Sequence, residues 1–431
     1  MATGTKYALV AVFVACSAFG GWTAMGSTQT TGLGALIDAL NAGDVAAVPG
    51  GPAPFKRHWS GLAPVDAVLN MMIAFFSAII DGRGNGAKGS AKDEEDWNSY
   101  LFYVWGMAQY VAAWAMLLLE SLRVGNRGRL VSCIGLAGMG PVASLARGDG
   151  PNARRALFVL LWDMALIPAV VTLTDTIPAV IMSAPSSGGV FLGKGLTASA
   201  SAHYKAIALW QFFPLWSVCL MAFLNPLCAF LFGSLLPVDP QGRPAPLGRG
   251  YLTGVSGVYQ FALTLCIGVH APILAVSLAP AAVRAYLAAN PTTFLVPAAY
   301  ASLFETATFA QIFVPASPFN PPTVAVEGAR AAGVHFLRYD ILVGAVPFLL
   351  WAVYLHQTTV KTPLGPFALV RKIAFWAVVG GAYAPAIALL WDRDAVVLEA
   401  DEPLKVAKAA IASTTVTNTT RANAKATGKK A

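Results

Sequence analysis

Carboxylates stand in or at the ends of long apolar runs, where an ionised side chain is costly: Asp66, Glu120, Asp163, Asp175, Glu305 and Asp340. Such a residue at bilayer depth costs about 2.5–3.5 kcal/mol on insertion scales, so it faces a bundle interior or a cavity. Burial disfavours the charged form of a carboxyl, which can then hold a proton near neutral pH and deliver it. Glu305 in "YASLFETATFAQIF" is the most central. Asp340 heads a run of fifteen residues without a charge, "ILVGAVPFLLWAVYL". Eleven positions on, Trp351 returns to nearly the same helix face, about 16 Å deeper. An acid at a mouth with an aromatic below it suits a long apolar substrate entering a lined pocket. A solvated helix-start carboxylate is the structural alternative for Asp340, and a carboxyl bonded to a neighbouring helix is the one for Glu305. Asp163 and Asp175 share one candidate span, about 120° and 18 Å apart, so they form no catalytic pair on a straight helix and read as structural.

Aromatic side chains supply the second ingredient. The chain has 11 tryptophans, 12 tyrosines and 23 phenylalanines, enough for membrane-interface belts and for rings inside the spans. Trp105, Trp114, Trp162, Trp210 and Trp216 fall within spans. A ring face stabilises a desolvated cation by about 0.5–2 kcal/mol; packing is the alternative for any single ring.

These residues must be positioned by membrane helices. Of 431 residues, 56% are hydrophobic and 12% charged, about half the charged fraction of a soluble protein. The sequence therefore predicts an all-α, polytopic integral membrane helical bundle of about nine transmembrane helices, a single domain over 1–400, and a polar tail over 401–431 with the composition of a disordered segment. The first apolar stretch, Tyr7–Met25, reads as a retained helix, with a signal peptide as the alternative. The later candidates are Pro64–Ile80, Tyr100–Leu119, Ala156–Met182, Ala206–Leu236, Tyr251–Leu278, Thr292–Phe313, Asp340–Leu355 and Ile373–Trp391; the glycine-rich Leu130–Leu145 spans, re-enters or is buried. The net charge of +8 suits anionic lipid surfaces. No loop interleaves basic and aromatic residues as nucleic-acid binding would require. The cysteines lie in apolar stretches and read as core residues.

Several enzyme classes fail on their residues. Membrane desaturases need clustered histidines, and the five here are scattered. "GVSG" (254–257) resembles an intramembrane-protease serine motif, but His270 lies roughly 21 Å along the same helix. Aromatic prenyltransferases need two facing aspartate-rich motifs, and "DEED" (93–96) is one solvated cluster. His270 in "CIGVHAPIL" keeps an acyltransferase open. A proton-coupled transporter is the rival from another class, although no related halves are visible.

Four stretches, "HWSGLAPVDAVLNMMIAFF" (58–76), "LLLESLRVGNRGRL" (117–130), "FLRYDILVGAVPFLLW" (336–351) and "LLWDRDAVVLE" (389–399), together resemble the fungal membrane-bound terpene cyclases of meroterpenoid pathways, of the ascochlorin and ascofuranone type. The resemblance implies cyclisation with no metal and no cofactor. A protonated carboxyl opens an epoxidised farnesyl-type chain carried on an aromatic or polyketide head, and rings close through carbocations. It implies a bilayer-embedded protein of the endoplasmic reticulum, with a prenyltransferase and an epoxidase as functional neighbours. On this reading Asp340 is the proton donor or its support, Glu120 the second acid and Asp66 the third, with Glu305 the remaining candidate. Arg123 and Asn126 anchor the loop after Glu120 or contact the polar head. Trp351 and Trp162 are the aromatic residues expected against substrate. Asp392 and Asp394 read as structural partners of Arg371, Lys372 or Arg393.

Overall fold

A computed structural model describes residues 3–49, 54–80, 91–121, 161, 162, 166, 167, 170, 200–232, 249–290, 307–360 and 362–395. The elements in chain order are α1 (Thr3–Gly21), continued by a π turn (Trp22–Gly26) and a single turn (Ser27–Thr30), α2 (Leu33–Ala42), α3 (Ala63–Ile80), α4 (Ala91–Ser121), α5 (Ala200–Gln211), α6 (Phe213–Phe232), α7 (Arg249–Leu278), α8 (Ala281–Ala289), α9 (Phe309–Phe313), α10 (Ala329–Thr359), α11 (Pro366–Gly380) and α12 (384–395). Among the described residues there is no strand.

Four of these helices are long and apolar enough to cross a membrane, over Ala63–Ile80, Leu101–Glu120, Val255–Leu278 and Ala329–Thr359. The other expected spans lie wholly or partly outside the described residues or form shorter helices. The run 206–236 divides at Phe212 into α5 and α6, and 373–391 breaks between α11 and α12. The stretch 130–145, Asp163, Asp175 and the tail 401–431 lie outside the described residues. Large apolar side chains face outward on several helices, among them Val10 and Val14 of α1, Phe223 and Phe230 of α6, and Phe367 and Val370 of α11. An aqueous surface would not tolerate such continuous apolar faces, whereas lipid covers them.

Helix α10 is the centre of the bundle and packs against α1, α3 and α4. Lipid tails give helices no hydrophobic reason to associate, so close van der Waals approach through small residues does the work. A Cβ on Gly106 of α4 would lie 2.4 Å from Ile341 Cδ1, one on Gly333 would lie 2.8 Å from Ile79 Cγ1 of α3, and one on Gly20 of α1 would lie 3.0 Å from Val343 Cγ1. Each glycine therefore marks a crossing point. On its other side α4 meets α7, the most extensive helix pair in the bundle. Val255, Tyr259, Ala262, Cys266, His270 and Ile273 are buried, a spacing of three to four residues that lays one stripe of α7 along its neighbour.

Candidate active site around Asp340

Asp340 is the twelfth of the 31 residues of α10, with its flanking residues Tyr339 and Ile341 buried while its own side chain is accessible. Two phenols lie within reach of its charge, Tyr110 of α4 and Tyr383 between α11 and α12. Among the described residues no lysine, arginine or histidine forms an ion pair with Asp340. The result is a carboxyl and two phenols drawn from three parts of the chain.

Tyr383 reaches α10 because the last apolar run is interrupted. Gly380 and Gly381 end α11, and Gly381 takes φ +85°, a left-handed conformation that glycine adopts without a Cβ penalty. Exposed backbone groups at such a break are costly at bilayer depth unless protein satisfies them. Gln109 does so with both ends of its amide: Nε2 donates to the Gly380 carbonyl at 2.9 Å, and Oε1 accepts from the Tyr383 N–H at 3.0 Å. The Tyr383 hydroxyl then donates to the Ile341 carbonyl at 3.4 Å, and a Cβ on Gly344 would sit 2.8 Å from the Tyr383 hydroxyl oxygen.

Rings pack against both phenols. Tyr383 meets Phe348 edge-on at 5.5 Å, and Phe348 meets Trp351 at 5.5 Å. Tyr110 stacks on Trp114 at 6.3 Å, and Trp114 meets Phe213 edge-on at 4.8 Å. Trp351, expected one face below Asp340, is half-buried within this set.

The other sequence candidates lie elsewhere. Glu120 is ten residues beyond Tyr110, about 15 Å along α4, and is buried in an ion pair with Arg393 of α12. Arg393 also pairs with Asp394 at 2.9 Å, and the Tyr259 hydroxyl donates to Asp394 at 2.9 Å, so α4, α7 and α12 are tied at one level. Asp392 pairs with Lys372 and lies 3.8 Å from His356 Nε2. Asp66 accepts from the Ser60 N–H and the Ser60 hydroxyl, each at 2.7 Å, holding the incoming chain on the first turn of α3. Asn70 assists there by accepting from Trp59 Nε1 and donating to the Arg57 carbonyl. Trp162 is exposed, and among the described residues nothing connects it to Asp340. Glu305, Arg123 and Asn126 lie outside the described residues. His270 accepts from Trp105 Nε1 at Nδ1 (2.9 Å), so its Nε2 carries the proton and faces the Val378 carbonyl at 3.2 Å. Both nitrogens are occupied, and the histidine serves to pack α4, α7 and α11.

Tyr110, Tyr383 and Gln109 are the site residues that sequence reasoning missed. The signal for Tyr383 was "GGAYAP" (380–385), a glycine pair and a proline inside an apolar run. Nothing local marks Tyr110 or Gln109, which become polar partners only through contacts far along the chain.

No curated protein and no solved structure matches the chain. Residues 7–398 match the CtvD domain, so the chain belongs to the CtvD domain family of fungal secondary-metabolite pathway proteins.

Proposed function

We propose that this protein is an integral membrane terpene cyclase, resident in the endoplasmic reticulum, that closes rings in an epoxidised farnesyl-type chain borne on an aromatic or polyketide head. The observation that carries the reading is the Asp340 carboxyl, without an ion-pair partner among the described residues, on the helix whose Ile341 carbonyl accepts from Tyr383 and whose Phe348 and Trp351 continue a run of aromatic rings.

In its acid form Asp340 donates a proton to the epoxide oxygen. The C–O bond breaks, an alkene π pair forms a new C–C bond, and the positive charge moves along the chain. Loss of a proton to the Asp340 carboxylate ends the sequence and restores the acid, so the product is an isomer of the substrate. Tyr110 and Tyr383 lie within reach of the carboxyl's charge, while Phe348 and Trp351 present π faces to the migrating charge. Glu120, Asp66 and the Asp392 cluster hold the scaffold.

The test is conversion of an epoxyfarnesyl arene by membranes containing the full chain. Cyclic products of unchanged mass are expected. Asp340→Asn keeps size and hydrogen bonding but removes the acidic proton, and should lower turnover by at least about 100-fold, the lower range for acid catalysis. Full activity in Asp340→Asn excludes Asp340 as the donor.

A further inference from the structure

Two groups stand out among the described indoles. Trp59, Trp105 and Trp216 donate their Nε1–H to Asn70, His270 and the Leu209 carbonyl respectively. Trp114 and Trp210 do not: each is buried, at 6% and 5% exposure, and its Nε1 has no hydrogen-bond partner. Native proteins leave very few buried donors unsatisfied, so two in one place call for a physical reason.

They are in one place. Trp114 on α4 lies 4.8 Å from the Phe213 ring and Trp210 on α5 lies 6.2 Å from it, so Phe213 is held between them. Phe76 closes the far side of Trp210 at 4.8 Å, and Tyr110 stacks on Trp114 at 6.3 Å, joining the box to the Asp340 site. An indole N–H is a donor and never an acceptor, so whatever completes it must bring an oxygen lone pair. That oxygen need carry no charge, since the described cation–ring contacts are elsewhere, at Lys56–Trp59 and Arg338–Phe102. A hydrocarbon chain offers no acceptor, whereas the head to which it is attached can.

We propose that the Trp114 and Trp210 indole N–H groups form a donor pair that recognises an uncharged oxygen acceptor, a ring-attached carbonyl, on the head of the substrate. The proposal rests on the cyclase reading and adds to it a specificity element. The head lies in the Trp114–Phe213–Trp210 box and its prenyl chain extends past Tyr110 to Asp340.

The experiment compares two epoxyfarnesyl arenes that differ only in one ring substituent, acetyl in one and ethyl in the other. Full-length wild type, Trp114→Phe and Trp210→Phe are reconstituted in nanodiscs. Equilibrium binding and steady-state turnover are measured for both compounds. Wild type should prefer the acetyl compound. Each Trp→Phe change should reduce that preference about tenfold, through KM with kcat nearly unchanged, and leave the ethyl compound unaffected. A structural role for the indoles would instead weaken both compounds alike. Equal binding of the two compounds to wild type, or a preference that survives both substitutions, overturns the proposal. Should one variant fail to fold, the other and the wild-type comparison decide. Preference lost on substitution but no cyclic product from any protein would uphold the donor pair and reject the cyclase reading; cyclisation with an unaltered preference would do the reverse.

Discussion

Replacing Arg393 by methionine tests whether Glu120 serves the scaffold. Arg393 is 5% exposed and lies between Glu120, 5% exposed, and Asp394, 1% exposed. Methionine nearly matches its length and packs among apolar neighbours, so the loss is mainly electrostatic. Two carboxylates then remain buried without the guanidinium that bridged them. Removing one partner of a buried pair costs about 3–5 kcal/mol, because the residual charge stays desolvated. Glu120→Gln alone is milder, at about 1.5–3 kcal/mol, since the amide oxygen still accepts from Arg393, which also keeps Asp394. Combining Glu120→Gln with Arg393→Met removes one of the two carboxylate charges and should recover stability relative to Arg393→Met. Equilibrium unfolding of the full chain in mixed micelles, titrated with SDS and followed by far-ultraviolet circular dichroism, gives the free energies. Stability of Arg393→Met within about 1 kcal/mol of wild type, less than the smallest cost expected of a broken buried pair, would refute the reasoning. So would a double variant no more stable than the single one.

Other outcomes follow from the same contacts. Gln109→Ala leaves the Gly380 carbonyl and the Tyr383 N–H without their partner, at about 1–3 kcal/mol for each group; it should also reduce cyclisation, measured as product per folded protein. Gly106→Ala drives a methyl against Ile341 Cδ1 and should cost about 1–3 kcal/mol by overpacking, and Ile341→Val, which deletes that atom, should restore most of it in the same unfolding assay. Asp66→Ala removes the acceptor for Ser60 and should cost about 0.5–2 kcal/mol, as for a lost helix cap, with the cyclic product profile unchanged by mass spectrometry.

Sequence alone disclosed the parts of this arrangement that depend on local chemistry. The acid at Asp340 and the aromatic at Trp351 could be marked because a charge in an apolar run is conspicuous and a helix has a known period. The pairing of Asp392 with Lys372 and of Asp394 with Arg393 was equally accessible, since neighbouring opposite charges beside a span find each other. Glu120 looked like a second acid for the same reason as Asp340, and its partner could not be guessed, being 273 positions away on another helix. A hydropathy window merges 373–391 into one span because the break at Gly381 costs no hydrophobicity. The window also begins α10 near Asp340, since Arg330 and Arg338 depress the average, although the helix starts at Ala329. Arg330 is accommodated by donating to the Ile80 carbonyl at the end of α3. Tyr110, Tyr383 and Gln109 are ordinary letters until tertiary contact gives each its neighbour.

The interruption at Gly380–Tyr383 divides the last apolar run into two rods. No backbone ladder runs continuously through it, and the two rods are joined by the turn itself, by the Gln109 amide and by the Lys372–Asp392 ion pair. Each rod keeps its own turns, and the joint between them is set by side chains: Gln109 on the backbone groups, and Ile341 and Phe348 on the Tyr383 ring.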